Sequence, residues 1–251
     1  MNRNPSDSSD NNSGDADLAE EAIGERDEDH NWYTIPDEID FSRIHQLFRS
    51  LVLFDDVYLG MQGLNIAMID GFITDQEYAL LREYREIDRT PTQTAMFVSA
   101  LSQMWIFALY ELLRTWRQRI RTMQRLKTLG AIDKAISELK NGRESLTTLV
   151  RKEQLELLRD DPTFSVLMTE HMDALEGVFR MTEAIRINLA KHEIKGEKDS
   201  IVHTPGYGRI NGDCGSLDFE LEHGEDSFEF INRRQIADAL RRVSIPISKA
   251  P

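Results

Sequence analysis

The sequence predicts a mainly α protein: a helical bundle on two long core helices, with a small C-terminal β-hairpin appendage and a disordered acidic N-terminal tail. Three observations carry that expectation. Apolar residues recur at steps of three and four from Thr92 to about Leu129 and again from Pro162 to Ile194, the period of a helix face. A two-residue alternation, Leu217, Phe219, Leu221, marks a strand late in the chain. Charge is segregated too. Residues 1–40 hold 13 of the 44 acidic residues but only Arg3 and Arg26 of the 30 basic ones, so −11 of the net −14 sits there. The remaining body is near balance at −3, and overall acidity is no argument against nucleic-acid binding.

Residues 1–31 offer too little apolar surface to offset the entropy of ordering and read as the acidic tail. The bundle is expected over 32–195. A Gly-rich loop, hairpin and terminal helix packed on it are expected over 196–251. Phe41 to Phe54 reads as a short amphipathic helix capped by Asp40. Tyr58 to Asp70 is interrupted by glycines and fits no single period. Thr74 or Asp75 should cap a further helix through about Glu86. Thr90-Pro91 opens the first long helix, and Ala95 to Leu113 within it is apolar nearly all round. Nineteen such residues could cross a bilayer. Ser99, Ser102, Gln103 and Glu111 argue instead for a central bundle helix, with a dimer seam as a further use.

Arg114 to Lys127 carries six basic residues and no acid. Arg114, Arg117, Arg121 and Arg125 follow helical spacing, which makes either a solvated face or a strip for RNA phosphates. Trp116 among them either stacks on a base or packs in the core. Shorter helices are expected from Ala131 to Lys140, closed by Asn141-Gly142, and from Glu144 to Arg159. Asp161 and Pro162 then start the second long helix. Such a succession suggests an up-and-down bundle with insertions. Ser216 to Glu222 and Ser227 to Ile231 can pair as a hairpin, and Gln235 to Val243 is the terminal helix.

The seam of the second long helix runs Phe164, Met168, His171, Leu175, Val178, Thr182, Ile185, Leu189 and turns polar at His192. Arg186 lies on a flanking stripe with Phe179. Asn188 and Lys191 lie beside the pair. A guanidinium, an imidazole that titrates near neutrality and an amide are the parts of a metal-free phosphodiester cleavage. The bland alternative is a packed histidine and an arginine complementing the helix dipole.

Arg186, five intervening residues and His192, at the end of a long helix in an all-helical chain, resembles the Arg-x(4–6)-His motif of HEPN-like domains, many of which are ribonucleases of bacterial toxin and antiviral systems. In that superfamily an Asn often follows the Arg directly; here Ile187 intervenes. The resemblance covers the helical core, Thr92 to Ile194. It implies Arg186, His192 and Asn188 as catalytic residues and a homodimer whose motif helices meet at a two-fold axis. RNA would lie along Arg114, Arg117, Arg121, Arg125 and Lys191, with no metal or other cofactor, and an antitoxin or regulatory protein is an expected partner.

Other chemistry is thinly supported. Glu170-His171-Met172-Asp173 lacks the spacing of a metal site, with Glu111 as a candidate fourth group. The stretch His203 to Gly215 is Gly-rich but lacks the Lys-Ser/Thr of a phosphate loop, and His203 and Tyr207 could flank His192. Cys214 is the lone cysteine and has no activating base beside it in sequence. The N-terminus lacks an apolar signal region, and a cytoplasmic, membrane-free protein is expected. The competing function is a non-catalytic helical interaction protein.

Overall fold

The structure, a computed structural model, describes residue 33 and residues 36–140, 144–190, 208–222 and 228–245; of residues 188, 190, 222 and 228 only the backbone is described. The chain divides into Met1–Trp32 and Tyr33–Pro251, and every described residue belongs to the second unit. The tail, Asn141-Gly142, Lys191, His192, His203, Tyr207 and the Asn188 side chain lie outside the described residues.

The mainly α architecture stands. Among the described residues the helices are α1 (Ser42–Ser50), α2 (Val57–Ile87), α3 (Thr92–Thr128), α4 (Ile132–Lys140), α5 (Leu146–Asp160), α6 (Pro162–Ala174), α7 (Glu176–Ala190) and α8 (Arg233–Arg242). Strands β1 (Arg209–Ile210), β2 (Leu217–Glu222) and β3 (Phe228–Ile231) form an antiparallel sheet in that order. The registers pair Ile210 with Leu217 and Phe219 with Ile231. The hairpin is as read from sequence, and β1 adds an edge too short for a periodicity to show.

Three elements differ from expectation; the first helix ends at Ser50, where the chain turns, rather than at Phe54. Residues 57–87 form one helix rather than a helix from Thr74. Its start is fixed by Asp56, whose Oδ1 accepts from the amides of Tyr58 and Leu59 at 3.0 and 3.1 Å. Gly63 sits inside it because the helix crosses closely over α1: a Cβ there would lie 3.1 Å from the Phe54 ring and 3.2 Å from Phe48. The long motif helix, in turn, is broken into α6 and α7 at Leu175, whose φ −100°, ψ 3° leaves the helical basin. A break of one residue barely shifts the helical phase. Phe164, Met168, His171, Leu175, Val178, Thr182 and Ile185 therefore all remain buried.

α2 and α3 pack antiparallel. Trp105 Nε1 donates to the Ile66 carbonyl at 3.0 Å, and Thr94 Oγ1 donates to Glu83 near the hairpin end. The Val52 peptide is clamped from both sides: its carbonyl accepts from Trp116 Nε1 at 2.9 Å and its amide donates to His171 Nδ1 at 3.1 Å. His171 is thus a hydrogen-bonded core histidine. The clamp holds the next residue, Leu53, in the left-handed region at φ 70°.

The C-terminal segment shares the main core, since Phe219, Leu221, Ile231, Ile236 and Leu240 join the cluster of Phe48, Trp105 and Trp116. Each such side chain contributes about 1.5–3 kcal/mol by leaving water. A buried ionic network ties α8 to α2. Arg233 donates to Asp70 Oδ1 (2.5 Å), Glu77 Oε1 (2.7 Å) and Oε2 (2.5 Å), and Thr74 Oγ1 (2.9 Å). Arg241 bridges Asp70 and Asp238, and Ser216 Oγ donates to Glu77 at 2.7 Å. Burial alone would discharge Arg233, but Glu77 and Asp70 outweigh it and hold the guanidinium charged.

The turn before β2 closes on α2. Asn211 Oδ1 accepts from the amides of Asp213 and Cys214, and Gly215, at φ +74°, lies so near Glu77 that a Cβ would fall 1.9 Å from its carbonyl oxygen. Of the Gly-rich segment, as far as it is described, Cys214 and Gly215 are buried, while Arg209, Gly212 and Asp213 are exposed.

α3 is not covered all round. Val98, Ser102, Trp105, Ile106 and Leu109 are buried, whereas Met96, Phe97 and Met104 are exposed. Among the described residues it is the one helix long and apolar enough to cross a bilayer, with 44% of that window buried.

Candidate functional site

α7 lies antiparallel along α3, and both helices place residues seven apart on the facing stripe, two turns along one side. On α3 these are Tyr110 and Arg117; on α7 they are Phe179 and Arg186. They interleave into one stack. The Arg117 guanidinium lies 4.4 Å over the Phe179 ring, Phe179 stacks on Tyr110 at 5.6 Å and 21°, and the Arg186 guanidinium lies 4.9 Å over Tyr110. A buried arginine closes one end of the stack and an exposed one the other.

The two arginines differ in their partners. Arg117 Nη1 sits 2.6 Å from Glu176 Oε2, a close ion contact rather than an aligned hydrogen bond. Glu176, at the positive end of α7, also accepts from Arg180 at 2.7 Å. Arg180 first and then Arg117 hold its carboxyl below the ordinary glutamate range. Arg186 has no carboxylate partner among the described residues. Its guanidinium lies over the phenol ring and the residue is exposed; a guanidinium suits a bidentate contact with an oxyanion.

The expected RNA strip does not survive as a single row. Arg117 is withdrawn into the core and neutralised by Glu176, because its position on α3 faces α7. Arg114 is exposed but holds Glu111 through Nε and Nη2 at 2.8 and 2.6 Å, which keeps its guanidinium more firmly protonated. Arg121 and Arg125 stand exposed. From the level of Tyr110 they are eleven and fifteen residues along α3, about 16 and 22 Å from Arg186. Because α7 runs the other way, its C-terminal end at Ala190 lies on the side away from them. The structure therefore joins Arg186 to Tyr110 and Phe179, not to the basic strip.

Tyr110 and Phe179 were missed as site residues. Their signal was present in the sequence as matched aromatic–arginine pairs seven residues apart, but which pairs meet depends on the α3/α7 crossing. Glu111 turns to Arg114 rather than to His171, and no group of three or more His, Cys, Asp or Glu among the described residues is arranged to hold a metal. Burial pushes the Cys214 thiol up to about 12, the opposite of an activated nucleophile.

In comparisons with known proteins the chain matches no family model, no curated protein and no solved structure.

Proposed function

We propose that the chain is a metal-independent endoribonuclease of HEPN-like type, an effector of the toxin or antiviral kind, with Arg186 and His192 as its working pair. The observation that supports this most is Arg186 itself: exposed, its guanidinium over the Tyr110 ring, and without a carboxylate partner among the described residues, whereas Arg114, Arg117 and Arg180 are all paired. In the mechanism His192 removes the ribose 2′-hydroxyl proton or protonates the leaving 5′-oxygen. Arg186 stabilises the charge that grows on the phosphoryl oxygens. Asn188, four residues before His192 in the sequence, orients the imidazole. Arg121 and Arg125 then contact backbone phosphates several nucleotides away. The products carry a 2′,3′-cyclic phosphate and a 5′-hydroxyl, and DNA is spared.

The test is incubation of purified protein with total RNA and with single-stranded DNA in EDTA, beside Arg186→Ala and His192→Ala variants of matched melting temperature. Loss of RNA cleavage by about a hundredfold or more in both variants is the expected outcome. Cleavage unchanged in Arg186→Ala, or cleavage seen only when a divalent metal replaces the EDTA, overturns the reading.

A second reading, a helical interaction protein that catalyses nothing, is favoured by a different observation: the apolar side chains that α2 and α3 leave in water.

A further inference from the structure

From Val57 to Thr74 the only charged residue is Asp70, which is buried in the ionic network; from Thr92 to Tyr110 there is none. Charge is thus absent from one face of the α2/α3 hairpin, yet that face is not covered. Met68 is 71% and Met104 69% exposed, and Tyr58, Met61, Phe72 and Phe97 are each about half exposed. With about 200 Å² for a fully exposed side chain of this size, these six alone leave roughly 700 Å² of largely apolar surface in water. That exceeds the usual patch on a monomer and is close to the ~800 Å² each partner contributes to a stable interface.

The face also has relief. A groove of about 500 Å³ runs between α2 and α3, lined by Asn65, Ile69, Ile73, Leu101, Met104 and Ala108. A second of about 400 Å³ runs between α2 and α1, past Phe41, Leu64 and Gly71. Met68 borders both, so the Met61–Leu64–Met68 ridge stands between two grooves. A surface with ridge and groove side by side is complementary to its own copy turned by a two-fold axis, the ridge of each filling the groove of the other. By contrast, the described part of α7 exposes no large apolar side chain.

We propose that a second copy of this chain docks on the α2/α3 face, making a two-fold dimer through this hairpin rather than through the motif helices. Asp55, Asp75 and the Glu111–Arg114 ion pair are exposed beside the face, a polar rim of the kind that surrounds a protein interface. The proposal gives the interaction-protein reading its partner. It does not depend on Arg186, and its tests do not read RNA cleavage, so the two proposals fail separately.

The experiment is light scattering on the eluting full chain and sedimentation across a concentration series, for the wild type and for Met68→Glu and Met104→Glu. Wild-type dimer is expected, with self-association weakened about a hundredfold in each variant at unchanged melting temperature. In the unperturbed fold, Met68→Cys should cross-link to itself through a short bis-maleimide, whereas Glu153→Cys on α5 should not. A wild type that stays monomeric, or a dimer that both Glu variants leave intact and Met68→Cys does not capture, overturns the proposal. So does a monomer that floats with phosphatidylcholine or phosphatidylserine vesicles, which would assign the face to lipid.

Discussion

Arg117 and Arg186 show how one residue type divides between packing and chemistry. Both lie over an aromatic ring of the same stack, but only Arg117 meets a carboxylate, Glu176, and only Arg117 is enclosed. Arg186→Ala should therefore leave the unfolding free energy in denaturant within about 0.5 kcal/mol of wild type, as for an exposed side chain. Arg233→Met should behave oppositely. It strands Asp70 and Glu77 in the core and should cost about 3–5 kcal/mol in denaturant unfolding. Glu176 adds a pH dependence. Its folded carboxyl is depressed, so its contribution is present above the unfolded value of about 4.3 and is lost as pH falls through the folded one. Glu176→Gln should flatten the acid limb of a melting-temperature profile below about pH 4, by less than about 1 kcal/mol because the pair is partly in water. Arg186 was legible as an arginine flanking an apolar seam. The fate of Arg117 was not, because Glu176 and Phe179 come from a helix some sixty residues away.

At the level of the helices, period alone was a good guide where one face is apolar and the other polar, as in α1 and along the α6–α7 seam. It failed in α2, where the buried and exposed faces are both apolar and glycines interrupt the pattern. Gly63 there answers to packing, while Gly177 at the start of α7 meets nothing within 4 Å. The same substitution should then have opposite signs. Gly177→Ala should stabilise by up to about 1 kcal/mol through helix propensity. Gly63→Ala, pressed on the Phe48 and Phe54 rings, should lose about 1–2 kcal/mol net. Thermal melts of the two variants side by side check both. The break at Leu175 escaped the periodicity because Gly177 is the only weak helix former near it and the seam resumes in phase.

Over the whole molecule the late β-strands and α8 complete the core begun by α1, α2 and α3 instead of standing apart from it. The ionic network sets Asp70 and Glu77 of α2 against Arg233 and Arg241 of α8, where Asp238 is the lone carboxylate, so neither half is electrically complete alone. None of this could be read from composition, since Asp70 and Glu77 look like ordinary surface acids until Arg233 is brought to them. Cys214 records that closure. Its thiol is fully enclosed, is pushed up to about 12 and donates to Asn211 in the turn that Gly215 presses onto Glu77. A soluble disulfide reagent can reach it only when that turn lifts from α2, so the labelling rate is a clock for how often the C-terminal segment lets go. Wild-type labelling should be orders of magnitude slower than that of the unfolded chain, and Arg233→Met should quicken it long before the rest of the bundle melts.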